Sequence, residues 1–282
     1  MAVSDTATGT VPGRPADAAG RFAARRSFAT VSVVIPTLNE AANLPHVLTR
    51  IPDIVDEVVL VDGHSIDDTV AVARAIRPDV RVVVQDGRGK GDALACGFAA
   101  ATGDIIVMLD ADASTDPAEI PGFIAVLWAG SDFAKGTRFV PGGGSADITA
   151  FRAAGNRILR ATVNLLFGTR YSDLCYGYNA FWRHCLPYVD IRERGFEAET
   201  LIHIRIARAG LVVTEVPSIE HERLHGESKL NAVRDGGRVL RTILRERIRP
   251  TLPRHHAEVW NSAHGELPLT AQPELGGAAA GR

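Results

Sequence analysis

Between residues 29 and 249 the chain alternates short, wholly apolar runs with stretches whose apolar residues recur every three or four positions. VSVVI (31–35) precedes a helical pattern from Glu40 to Ile51, and EVVLV (57–61) precedes one from Ile66 to Ile76. VRVVV (80–84) precedes a pattern through Ala93 to Ala101, and DIIVML (104–109) precedes one from about Pro117 to Trp128. Runs this short, β-branched and continuously apolar read as strands buried on both faces. Their alternation with helices predicts an α/β fold, a Rossmann-like, mostly parallel central sheet with helices on both faces. Right-handed crossovers bring the C-terminal end of every strand to one edge, where open α/β sheets bind ligands.

Residues 1–28 lack periodicity and are rich in chain breakers, which predicts a flexible leader; residues 250–282 repeat that character as a tail. The 282 residues then suit one large domain, 29–249. Lys and Arg total 31 against 33 Asp and Glu, a net charge of −2, which argues against a nucleic-acid partner held by bulk charge. Cys96, Cys175 and Cys185 form no CxxC pair and read as reduced thiols of a cytoplasmic protein. The longest strongly apolar stretch, Ile105 to Leu109, falls far short of the ~18 residues a membrane span needs. With no secretory leader pattern in the sequence either, the expectation is a soluble chain, with peripheral contact at the inner face of the membrane left open.

The strand ends carry the candidate chemistry. Pro36-Thr37-Leu38-Asn39-Glu40 follows the first run and Asp62-Gly63-His64-Ser65 the second. Gly87-Arg88-Gly89-Lys90-Gly91 follows the third and Asp110-Ala111-Asp112 the fourth. Taken singly, each is also a good turn or helix cap; Ser65 and Asp67 could simply cap the second helix. Four in succession at one edge argue for a site. Two carboxylates flanking one small residue can converge on a hard cation such as Mg²⁺ or Mn²⁺, which would neutralise a diphosphate leaving group. The Gly-Arg-Gly-Lys-Gly turn can approach phosphates through its backbone. It is neither a Walker loop nor a GxGxxG fingerprint, so nucleotide hydrolysis and dinucleotide redox chemistry both lose ground.

VVIPTLNEAANLPHVL, LVDGHSIDDTV, GRGKGDALACGFAAATGDIIVMLDAD and EHERLHGESKL, in this order over about residues 30–245, resemble the motifs of inverting family 2 glycosyltransferases with the GT-A fold. The nearest likeness is to the dolichyl-phosphate mannose synthase and polyprenyl-phosphate glycosyltransferase branch. The resemblance implies that Pro36, Thr37, Asn39 and Glu40 line a nucleotide pocket and that Asp62 hydrogen-bonds the base. It puts Lys90 near the donor, Asp110 and Asp112 on metal and diphosphate, and Arg138 near the donor and acceptor phosphates. Arg223, Ser228 and Lys229 would close over the diphosphate. It further implies a UDP- or GDP-sugar donor, Mg²⁺ or Mn²⁺, and a polyprenyl phosphate acceptor. Two positions depart from the pattern: Gly63 replaces a second acidic residue, and Asn179 replaces an arginine that would meet an acceptor phosphate. That second departure keeps a soluble small-molecule, peptide or polysaccharide acceptor in view. A non-catalytic nucleotide-sugar-binding protein is the rival from another class, opposed by the retained leaving-group clamp.

An acceptor phosphate is already an anion and needs positioning more than a base, whereas a hydroxyl needs a carboxylate or histidine. Asp173, Glu197 and Glu199 are the candidates, although Glu197 and Glu199 would also serve the dipole of a helix they open. Glu199 matches the acidic residue that begins this helix in relatives. His221 or His225 could complete a metal shell or be merely solvated. Pro141 to Ser145 reads as a flexible run, able to order over the acceptor or serve as a connector. In LNAVRDGGRVLRTILRERIR (230–249) an apolar face of Val239, Leu240, Ile243, Leu244 and Ile248 is flanked by arginines, which suits an interfacial helix, a packed helix or a homodimer contact. Gly236-Gly237 is expected to interrupt it.

Overall fold

Each of the four apolar runs forms a strand: β1 (Val31–Thr37), β2 (Glu57–Asp62), β3 (Arg81–Val84) and β4 (Ile105–Met108). Between them lie α1 (Leu44–Leu48), α2 (Thr69–Ile76) and α3 (Lys90–Ala100), and a short 3-10 turn after β4 leads into α4 (Ile120–Trp128). Then follow β5 (Phe133–Thr137), β6 (Gly144–Ser145), α5 (Ala150–Phe167), β7 (Asn179–Trp182), α6 (Leu186–Val189), α7 (Glu197–Arg208), β8 (Val213–Pro217), β9 (Ile219–Glu220) and α8 (Ala232–Ile248). This computed structural model describes residues 29–191, 193–226 and 231–250. The expected leader, the tail beyond residue 250, Ser228 and Lys229 lie outside the described residues.

Seven strands form one sheet in the order β3-β2-β1-β4-β7-β5-β8. All neighbours run parallel except β7, which pairs antiparallel with both β4 and β5. Alternate residues of the central strands feed two cores. Val33, Ile35, Leu60 and Val107 face α1, α2 and α4, while Val34, Val59, Val61 and Met108 face α3 and α7. On that second side Gly97 lets α3 settle onto the sheet, since an added Cβ would lie 2.3 Å from Val34 Cγ1. β3 departs from the expected two-sided burial: it is the sheet edge, and Val84 is 55% exposed.

Helix starts differ where side chains intervene. α2 begins at Thr69 rather than Ile66 because Asp67 Oδ1 accepts from the Thr69 N–H and hydroxyl, holding an Asx turn ahead of the helix. α1 shrinks to five residues after a turn through Asn43, with Pro45 in its first turn. The glycine run at 141–145 is more ordered than its composition suggests, because Gly144 and Ser145 pair with β9. α8 runs unbroken through Gly236-Gly237, which corrects the expected interruption. Val239 and Ile243 are buried in a cluster shared with α5 and α7, and tertiary packing of this kind outweighs the glycines' low helix propensity. Its apolar residues split between two faces, since Leu240, Leu244 and Ile248 are exposed.

Candidate active site

Sequence order along the sheet reverses beside β1, with β2 on one flank and β4 on the other. Such a switch point leaves a crevice outside the C-terminal ends of the strands. A cleft of about 1140 Å³ opens there, lined at its floor by Pro36, Thr37, Gly63, Asp110, Ala111 and Asp112. β4 thus delivers both carboxylates into the crevice.

Each carboxylate meets a cation. Lys90 opens α3 directly after the left-handed Gly89 (φ 91°), and its Nζ lies 2.5 Å from Asp110 Oδ1 and 2.5 Å from Glu199 Oε1. Burial alone would lower the lysine's pKa, but the Asp110 and Glu199 carboxylates outweigh it and hold the ammonium well above its ordinary range. For Glu199 burial dominates and pushes the carboxyl upward, against the pull of Lys90. Gly177 makes room for this triad, since a Cβ there would come 2.6 Å from Glu199 Oε1 and 3.0 Å from Lys90 Nζ. Arg223 Nη2 lies 2.6 Å from Asp112 Oδ2, and its Nη1 lies 3.3 Å from Glu40 Oε1. The other Asp112 oxygen accepts from the Ser114 N–H at 3.0 Å and hydroxyl at 2.6 Å. Glu40 in turn accepts from the Asn43 amide at 2.7 Å.

Of the expected site residues, Pro36, Thr37, Glu40, Lys90, Asp110, Asp112, Glu199 and Arg223 line one cleft. Asn39 does something else: it adopts φ 59°, and its amide oxygen accepts from the Ile66 N–H at 2.8 Å, tying the first strand-end loop to the second. Asp62 is buried and accepts from the Ser65 N–H at 3.2 Å, and Gly63 and Gln85 line the cleft. His221 is exposed and outside the cleft lining; its backbone N–H donates to Ser114 O at 2.8 Å.

Arg138 and Asp173 sit differently from the sequence expectation. Arg138 is 4% exposed and forks onto Asp173 through Nε (2.7 Å) and Nη2 (3.0 Å), while Nη1 donates to Glu220 (2.9 Å) and Nη2 to Cys175 O (2.9 Å). Its guanidinium is consumed by the protein, behind the cleft wall, and does not reach the lining. Asp173 is fully buried, and Asn156 donates to it as well. Burial would raise this carboxyl, yet the Arg138 hydrogen bonds and charge hold it below its ordinary value. A base must be reachable by its substrate, so Asp173 is withdrawn as one. Glu197 and Glu199 stay at the cleft in the first turn of α7. Sequence reasoning missed Gln85 and Arg194 in the lining, and no motif marked them.

The acidic pair suits a hard divalent cation. Both donors are carboxylate oxygens at a cleft floor, and the described residues contain no cluster of three or more His, Cys, Asp or Glu that would form a closed cage. Two carboxylates with the rest of the shell left to substrate phosphates is the habit of Mg²⁺ and Mn²⁺ sites.

Comparison with known proteins defines the class. Residues 32–186 match the model of the glycosyl transferase family 2 domain. A dolichol-phosphate mannosyltransferase of Pyrococcus furiosus is 33% identical over 209 residues, covering 71% of this chain and 59% of that enzyme. The polyprenol monophosphomannose synthase of Mycolicibacterium smegmatis is 32% identical over 235 residues, covering 78% of this chain and 89% of the synthase. Among solved structures, glucosyl-3-phosphoglycerate synthase of Mycobacterium tuberculosis, in complex with Mn²⁺, UDP-glucose and glycerol 3-phosphate, superposes with a TM-score of 0.66 at 26% identity. That likeness covers 87% of this chain and 94% of the synthase. The protein is a glycosyltransferase of the GT-A fold. It belongs to glycosyl transferase family 2.

Proposed function

We propose that the protein transfers a glycosyl group, with inversion, from a nucleoside-diphosphate sugar to the phosphate of a polyprenyl phosphate. One observation carries the reading: Asp110 and Asp112, each matched to a cation, at the floor of a cleft at the sheet's switch point. Mg²⁺ or Mn²⁺ held by these two carboxylates would screen the diphosphate as it departs. Lys90 and Arg223 add fixed positive charge where the leaving group gathers negative charge. An oxygen of the acceptor phosphate attacks the anomeric carbon as the bond from that carbon to the β-phosphate oxygen breaks. The phosphate brings its own negative charge, so no proton has to be removed, and the chain's task is alignment. Glu199, clamped on Lys90, acts in this scheme by fixing the ammonium against Asp110.

Two observations favour a lipid-borne acceptor. The relatives named above include two enzymes named for polyprenyl or dolichol phosphate. Beside the cleft, Phe151, Ile158 and Leu165 form an exposed apolar stripe along α5, and Val233, Leu240, Leu244 and Ile248 one along α8. Such stripes, edged by arginines, suit a peripheral contact with an anionic membrane surface. No helix among the described residues is long and apolar enough to cross a membrane. A second copy of the chain covering the same stripes is the alternative, and vesicle co-sedimentation against oligomer mass separates the two. The second reading of the acceptor, a soluble small molecule, peptide or polysaccharide, is favoured by Asn179, which is buried in β7 and supplies no charge to meet an acceptor phosphate. The test presents UDP-, GDP- and dTDP-sugars with Mn²⁺ and undecaprenyl phosphate, followed by product analysis. A glycolipid whose formation stops with EDTA is expected; transfer only to soluble material would overturn the lipid reading.

A further inference from the structure

The strand-end machinery answers the charge of a donor diphosphate, but the cleft has a second cationic wall that this role leaves unused. Arg234, Arg238, Arg241 and Arg245 recur on one face of α8, and all four line the cleft. Arg88 and Arg194 line it as well. Contacts tie these parts together: the Gly91 N–H donates to Arg194 O at 3.2 Å, and Glu193 pairs with Arg245. The residues just before α7 therefore bridge from the start of α3 to the face of α8.

Counter-charge on this wall is thin. Asp235 Oδ1 is shared by Arg234 and Arg238, each at a long 3.4 Å, and the Asp235 side chain is 5% exposed. Among the described residues Arg241 forms no ion pair, although Arg238 and Arg245 on either side of it do. Four guanidinium groups on one helix face share two carboxylates, Asp235 and Glu193, and the excess positive charge is relieved when an anion enters. The planar fork of arginine matches the oxygens of a phosphate, and charge-assisted pairs of this kind are among the strongest hydrogen bonds a site can offer.

Building on the proposed transfer reaction, we infer that the arginine face of α8, with Arg238 and Arg241 at its centre, is the subsite that holds the phosphate monoester of the acceptor. The same chemistry would take a lipid-linked phosphate or a soluble one. It also accounts for Asn179: the positive charge missing from β7 is supplied from α8. Neutral acceptors would leave the wall unanswered and bind poorly.

The experiment uses the full chain, with and without Mn²⁺ and UDP, and titrates three probes: undecaprenyl phosphate in detergent micelles, undecaprenol in the same micelles, and glycerol 3-phosphate. At least one phosphate probe should bind the wild type, with undecaprenol at least about tenfold weaker. Arg238→Gln and Arg241→Gln should each weaken that phosphate probe by about tenfold or more. Arg247→Gln, which removes an exposed charge of the same helix outside the cleft lining, should leave it unchanged. Preference between the two phosphate probes identifies the source. If the wild type takes up neither phosphate probe, or Arg241→Gln binds as the wild type does, the subsite is wrong. Equal losses in Arg247→Gln would reduce it to bulk charge and overturn it too. Mn²⁺-dependent UDP binding, measured in parallel on every variant, reports on the donor site alone, so failure of the donor reading shows separately.

Discussion

Replacing Arg138 with methionine separates a structural ion pair from a substrate contact. In the structure the guanidinium forks onto Asp173 at 2.7 and 3.0 Å, and the two side chains are 2% and 0% exposed. Methionine keeps the apolar stem but leaves the Asp173 carboxylate buried with Asn156 as its remaining side-chain donor. Breaking a buried pair from one side costs about 3–5 kcal/mol. For a fold of this size each kcal/mol moves the thermal midpoint by about 2–4 °C, so a fall of roughly 6–20 °C is expected. Arg138→Met combined with Asp173→Leu should recover more than half of it, because the stranded charge is gone. The pH dependence has a definite sign. Asp173 is held below its unfolded value of 3.8, so its contribution is complete above that pH and is lost as pH falls through the depressed folded value. The acid limb of the wild-type stability curve should therefore flatten in Arg138→Met. Thermal denaturation followed by circular dichroism, with kinetics taken well below both midpoints, is the assay. A variant with the wild-type midpoint and no turnover would refute the reasoning and return Arg138 to the substrate phosphates.

Arg223→Gln should raise the affinity for Mn²⁺ alone, read as free Mn²⁺ by electron paramagnetic resonance, because the ion need no longer displace a guanidinium 2.6 Å from Asp112. A partly exposed charged pair of this kind is worth about 1–2 kcal/mol, or roughly a 5–30-fold change; weaker Mn²⁺ binding would contradict the competition. Cys175 lines the cleft, but burial, reinforced by the Asp173 and Glu199 charges, pushes its thiol up to about 12. It should resist iodoacetamide at pH 8 under conditions that alkylate a free model thiol; rapid alkylation would show that the thiolate is accessible.

The parts legible in the sequence are those set by local pattern. β1, β2 and β4 follow from continuous apolar runs, and the strand-end rule puts Lys90, Asp110 and Asp112 in one crevice before any contact is known. What escaped depends on distant partners. Arg138 meets Asp173 from 35 positions away, so a guanidinium that looks free in sequence is spent inside the protein. β7 enters antiparallel between β4 and β5, an order that no periodicity encodes. Gly236-Gly237 would break an isolated helix, yet α8 has α5 and α7 to pack against.

The central claim is that a divalent ion on Asp110 and Asp112 holds a nucleoside diphosphate at the end of β4. Calorimetric titration of UDP and GDP into wild type and Asp112→Asn, each with Mn²⁺ and with EDTA, tests it most directly. One nucleotide should bind the wild type at least about tenfold more tightly with Mn²⁺ than with EDTA, and Asp112→Asn should abolish that difference while keeping the wild-type thermal midpoint within a few degrees. Nucleotide binding that ignores both the metal and the substitution would contradict the account.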